Sequence, residues 1–198
     1  MQSLIFASNN ANKAGEIRAV LKNKFEILTL KDSGINIEIP EPHDSLEENA
    51  REKSQTIHKL TGKNCFSEDT GLEVLALNGD PGVKSARYAG DNVHFEANIV
   101  KLLSKLEAVR NREARFRTVI SLILEGKEYQ FEGICNGIIT TTRKGQSGFG
   151  YDPVFIPTGA EKTFAEMTME DKNIHSHRRK ATEKFIQFLQ EQHVKNQD

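Results

Sequence analysis

Acidic and cationic side chains occur at a few points of this sequence where they can share one ligand. Glu41, Asp44, Glu47 and Glu48 stand close together, and Glu68-Asp69 follows farther along. Such hard oxygen donors suit Mg²⁺, which takes one or two carboxylates together with phosphate oxygens and water. Glu47 and Glu48 also have a simpler account, since acids in a helix's first turn serve capping and the macrodipole. Asp69 follows an apolar stretch and precedes Thr70-Gly71, the kind of place where open α/β sheets present functional groups, although an Asx-turn is the plainer reading.

The segment Ser8-Asn9-Asn10-Ala11-Asn12-Lys13 falls between a predicted strand and a predicted helix. Free N–H groups and the positive end of the helix dipole there suit a phosphate, and Lys13 adds a point charge; an Asn-rich turn with a solvated lysine is the alternative. The Gly-rich pattern GxxxxGK[ST] occurs nowhere, which excludes a P-loop enzyme. Ser147-Gly148-Phe149-Gly150-Tyr151-Asp152-Pro153 sets two aromatics and an acid in a loop whose glycines admit close approach of a ligand. Phe149 can stack on a base there, or both aromatics can anchor the loop on the core. Near the C-terminus, Ile174, Ala181, Phe185 and Phe188 mark an apolar helical stripe on which Arg178 also falls, with His177 beside it. Inward-facing groups of this kind need a buried carboxylate or a ligand.

The elements that must carry these groups read as one mixed α/β domain over 1–198, with no repeat or linker dividing it. Strands are predicted over 3–7, 25–30, 35–39, 64–67, 72–77, 114–124 and 129–142, with the acidic 68–71 at a break in the sheet. Helices are predicted after Asn12 with Ile17, Val20 and Leu21 on one face, from the capping signature Ser45-x-x-Glu48, over 93–106, and over 169–192. Asn78-Gly79-Asp80-Pro81-Gly82 is a turn, and the last two strands form a hairpin about 125–127.

Lys+Arg (27) and Asp+Glu (28) nearly cancel, so a nucleic-acid polymer is not the expected partner. Cys65 and Cys135 stand far apart with no metal-site spacing, which fits a reducing cytoplasm. No apolar stretch approaches membrane-span length and the N-terminus lacks a signal-peptide pattern, so neither a membrane nor export is expected.

Together, SNNANK at 8–13, EENA at 47–50 with Lys53, EDTGLEV at 68–74, PGVKSARYAG at 81–90, FGYDPVF at 149–155 and the 172–178 segment ending SHR resemble the inosine triphosphate pyrophosphatase family, the non-standard purine NTP pyrophosphatases. The resemblance implies an α/β fold with a long, twisted mixed β-sheet flanked by helices, two lobes with a central cleft, and a homodimer. It implies Mg²⁺-dependent hydrolysis of ITP, dITP and XTP to the monophosphate and pyrophosphate, cleansing the nucleotide pool. By the same resemblance Ser8, Asn9, Asn10, Ala11, Asn12, Lys13 and Lys53 take the triphosphate, Glu41 and Asp69 the metal, and Asp69 accepts the proton. Thr70 binds substrate beside it, while Phe149, Gly150, Tyr151, Asp152, Lys172, His177 and Arg178 enclose base and sugar.

Overall fold

The computed structural model describes residues 3–21, 25–91 and 94–195. In chain order the elements are β1 (Ser3–Phe6), α1 (Ala11–Leu21), β2 (Glu26–Thr29), α2 (Leu46–Thr61), β3 (Cys65–Val74), β4 (Pro81–Gly82), α3 (Phe95–Lys105), β5 (Glu113–Leu124), β6 (Lys127–Ile139), β7 (Phe155–Pro157), α4 (Met169–His175) and α5 (His177–Lys195). Among the described residues seven strands make one mixed sheet of order β2-β1-β3-β5-β6-β7, with β4 on β3. β1 lies parallel to β2 and β3, whereas β4 and β7 run antiparallel to β3 and β6. Among the described residues no helix is long and apolar enough to cross a membrane.

The chain divides into two compact units, Met1–Asp69 with Thr118–Gly133 and Arg178–Asp198, and Thr70–Arg117 with Ile134–His177. In the first unit successive residues of β1 point to opposite cores, as the two-residue repeat of a strand requires. Leu4 and Phe6 join Ile17 of α1 and Ala181, Phe185 and Leu189 of α5 on one face. Ile5 and Ala7 join Ile57 of α2 on the other. Coverage of both faces explains why Leu4, Ile5, Phe6 and Ala7 form an unbroken apolar run. β5 turns into β6 through Glu125 and Gly126, both at positive φ (52° and 77°), the type I′ geometry that matches strand twist. The second unit has its own core, in which Leu72, Phe116, Tyr151, Phe155 and Phe164 meet residues of α3.

Four sequence expectations need correction. Residues 35–39 form no strand; Ile35 and Ile39 alternate because they pack one-sidedly on the core of Ile5 and Ile57, not because they pair in a ladder. The acidic stretch 68–71 is no break, because β3 runs unbroken from Cys65 to Val74 and only 75–77 leaves it as a 3₁₀ turn. Its buried polar residues are tolerated because each has a partner: Ser67 Oγ donates to the Ala50 carbonyl, and Glu68 and Asp69 meet cations. The C-terminal helix is two helices, separated at Ser176 with ψ 120°. The helical period therefore does not carry across, and Ile174, assigned to the apolar stripe, is 70% exposed. The second long strand ends at Ile139 rather than 142. Val93 and the side chains of Val20 and Leu21 lie outside the described residues.

Candidate active site

In the first unit, three carboxylates and three cations gather about the middle of β3, where Glu68 and Asp69 lie. α2 supplies Lys53. Ser45 starts this helix, its Oγ accepting the Glu48 N–H at 3.2 Å and donating to the Glu48 carboxylate at 2.8 Å, which gives Glu48 a capping role. Asn49 then ties the preceding loop to the helix by two 3.0 Å bonds with the His43 backbone, so that the loop holds Glu41 near α2. Lys53 lies one turn beyond Asn49 on the same buried face. Its Nζ donates at 2.9 Å to Glu41 Oε1, Asp69 Oδ1 and the Glu68 carbonyl, which engages all three ammonium protons.

Glu68 is wholly buried. Both of its carboxylate oxygens accept from Arg178 Nε, at 3.0 and 2.9 Å, and Lys13 Nζ lies 3.4 Å from Oε1. The inward-facing Arg178 thus finds a buried carboxylate, one of the two partners its position on the stripe demanded. Within the turn that bears Lys13, Asn10 Oδ1 accepts the N–H groups of Asn12 and Lys13 at 3.1 Å, capping α1, and Ser8 Oγ accepts the Asn10 N–H. Asn9 Oδ1 accepts the Lys31 N–H at 2.9 Å. The asparagine oxygens therefore build the turn, while Lys13 reaches away from it.

Burial raises the pKa of Asp69 above the usual aspartate range; Lys53 pulls it down, and the neighbouring Glu41 pushes it up again. Burial works against the charge of Lys53, yet Asp69 and Glu41 more than offset it and hold its ammonium above the ordinary lysine value. Lys53 gains from both carboxylates, whereas at Asp69 burial together with the like charge of Glu41 outweighs the Lys53 ammonium. Among the described residues Asp69 Oδ2 is buried with no hydrogen-bond partner. An orphaned carboxylate oxygen beside a second carboxylate is a donor set that fits a hard cation.

The second unit carries the other expected residues. Asp152 Oδ2 accepts the Phe149 N–H at 2.9 Å and Lys172 Nζ at 2.7 Å. The same ammonium lies 5.1 Å from the centroid of the Phe149 ring. α4 presents Lys172, with Thr168 Oγ1 as its cap accepting the Asp171 N–H. Gly148 has φ +81° and no room for a side chain, because a Cβ there would stand 2.1 Å from Asp152 Oδ2. Gly150 is also at positive φ, 60°. Phe149, Asp152 and Lys172 are thus brought together. Tyr151 is a loop anchor: it is buried in the core and its hydroxyl donates to the Ser85 carbonyl at 2.9 Å. His177 stacks on Phe116 with ring centroids 4.9 Å apart. Thr70 follows Asp69 on β3 and belongs to this unit. A cavity of about 620 Å³ in the same unit, lined among others by Glu73, Leu75, Arg115 and Ile138, includes none of these residues.

Sequence reasoning gave Glu68 no role beyond that of one oxygen donor among several. The signal that could have found it was the inward-facing Arg178, which required a buried acid.

Residues 4–188 match the Ham1 family. The chain belongs to that family. Ham1-family likeness extends to individual relatives over almost their whole length. A dITP/XTP pyrophosphatase of Flavobacterium johnsoniae is 50% identical over 186 residues, 94% of this chain and 97% of that one. One of Porphyromonas gingivalis is 49% identical, over 96% and 98% respectively. Among solved structures, the Ham1 protein of Staphylococcus aureus superposes with a TM-score of 0.89 at 37% identity, covering 96% of this chain and all (100%) of the other. The Ham1 protein of Coxiella burnetii gives the same TM-score, 0.89, at 34% identity.

Proposed function

We propose that this chain hydrolyses deaminated purine nucleoside triphosphates, ITP, dITP and XTP, to the monophosphate and pyrophosphate. The observation that carries the proposal is the Glu41–Lys53–Asp69 cluster, with its buried, orphaned Asp69 oxygen, in a Ham1 chain half identical to a relative bearing the pyrophosphatase name. Water attacks the α-phosphorus, a new P–O bond forms, and the bond to the β-phosphate oxygen breaks with pyrophosphate as leaving group. Asp69 takes the proton from the water, a role helped by a pKa held above the usual carboxylate range. Lys13 offsets charge on the polyphosphate, and Lys53 keeps Glu41 and Asp69 side by side against their repulsion.

Glu41 and Asp69 would hold Mg²⁺, which supplies charge neutralisation of the phosphate oxygens and acidification of bound water. Phe149, with Lys172 beside it, offers a stacking face for the base, and Asp152 orients the lysine. Lys172 has only donors to offer, which suits the 6-oxygen of hypoxanthine and xanthine. An adenine 6-amino group would leave such donors unpaired, at a cost of about 1–3 kcal/mol each. The proposal extends to clearing such nucleotides from the precursor pool, and, by family likeness, to a cytoplasmic homodimer.

Turnover of ITP, XTP, GTP and ATP with Mg²⁺, assaying pyrophosphate and orthophosphate separately, tests the reading. Pyrophosphate from ITP and XTP with little from ATP is expected. Orthophosphate as the direct product, or equal turnover of ATP and ITP, overturns it in favour of a general nucleotide hydrolase.

A further inference from the structure

Every cation placed at the first unit's cluster touches one residue. Glu68 receives Arg178 of α5 and Lys13 of α1 on its carboxylate and Lys53 of α2 on its main-chain carbonyl. Its side chain has no solvent exposure (0%), and Arg178 and Lys13 occupy its oxygens. This leaves Glu68 poorly placed as a metal ligand and well placed as a brace. We infer that Glu68 is a positioning residue, whose carboxylate holds two cations from two helices, Lys13 and Arg178, in one arrangement for a polyphosphate. The inference rests on the proposed triphosphate chemistry.

A brace and a counter-charge predict opposite signs. The cluster contains Lys13, Lys53 and Arg178 against Glu41, Glu68 and Asp69, so its formal charges balance. Replacing Glu68 by Gln leaves an excess positive charge, and the field alone would then tighten the binding of any polyanion. Loss of the brace lets Lys13 and Arg178 leave their fixed positions, so that binding must bear the cost of ordering them and weakens.

Inorganic tripolyphosphate is the probe, because it carries the chain of phosphates without a base. Its binding is measured by calorimetry on the full-length wild type, E68Q and E68D, with kcat and KM for ITP and thermal unfolding alongside. In E68Q, tripolyphosphate binding weakens and KM rises by about tenfold, the loss of one charge-assisted contact, while kcat changes much less. E68D, which keeps the charge on a side chain one methylene shorter, falls between wild type and E68Q. Tighter or unchanged tripolyphosphate binding in E68Q overturns the inference, as does a lower melting temperature with wild-type binding and KM. Should E68Q fail to fold, E68D decides: about threefold weaker tripolyphosphate binding supports the brace, and wild-type or tighter binding overturns it. A wild type that binds tripolyphosphate but releases no pyrophosphate from any nucleotide sinks the proposed function and leaves the inference about Glu68 standing.

Discussion

The two units place their functional groups by different means. In the first, Lys13, Lys53, Arg178, Glu68 and Asp69 all sit on regular elements, α1, α2, α5 and β3, and charge holds them: each buried acid meets a cation within 3.4 Å. In the second, Phe149 and Asp152 lie on the glycine-rich segment 145–154, and only Lys172 comes from a helix. There the backbone does the work, through Gly148 at φ +81° against Asp152 and Tyr151 sunk in the core. In the proposed function the first arrangement serves the phosphates and the second the base. Phosphates are common to every substrate and reward a rigid charged frame, whereas a base must be told from its analogues by shape and by donor pattern.

Asp69→Asn should give the largest effect, a fall in kcat of about 1000-fold for every triphosphate, as expected for loss of a general base. Unequal losses across ITP, XTP and GTP would break the division of labour between the units. Lys53→Met strands Glu41 and Asp69 together with no cation between them and should cost about 3 kcal/mol of stability, read as a lower urea midpoint with unchanged slope. Gly148→Ala sharpens the contrast from the other side. A Cβ at 2.1 Å would push the Asp152 carboxylate off the Phe149 N–H and Lys172, so the ITP-over-ATP preference should fall about tenfold with little change in tripolyphosphate binding.

The smallest effect concerns Cys65 in the first unit's core, where burial pushes the thiol pKa up to about 12. The folded protein holds this proton more tightly than the unfolded chain does. The stability it contributes is therefore complete below the ordinary thiol pKa and lost as the pH rises towards 12. Native protein at pH 8 should resist alkylation at Cys65, and unfolding in urea should expose it. Rapid labelling of the native state would contradict the buried setting.

Much of this was legible from residue order because the signals were local. The Ser45-x-x-Glu48 cap, the positive-φ turn at Asn78-Gly79 and the two-residue hairpin at Glu125-Gly126 depend on neighbours in the chain. The errors came where a distant partner overrode the local pattern. The polar Glu68-Asp69-Thr70-Gly71 suggests a break, yet Arg178 and Lys53 pair with the two acids and β3 continues. Ile174 and Arg178 are one helical turn apart in number, but Ser176 separates the helices and only Arg178 turns inward.

The sequence by itself determined which residue types were available, the helix starts and turns, and the blocks that mark the family, since each is a property of contiguous residues. Only the tertiary structure decided that Lys53 would spend all three donors on Glu41, Asp69 and a carbonyl, and that Glu68 would meet Lys13 and Arg178. Buried charges need partners to be stable, and residues 13, 68 and 178 become partners only after α1, β3 and α5 have packed into one unit.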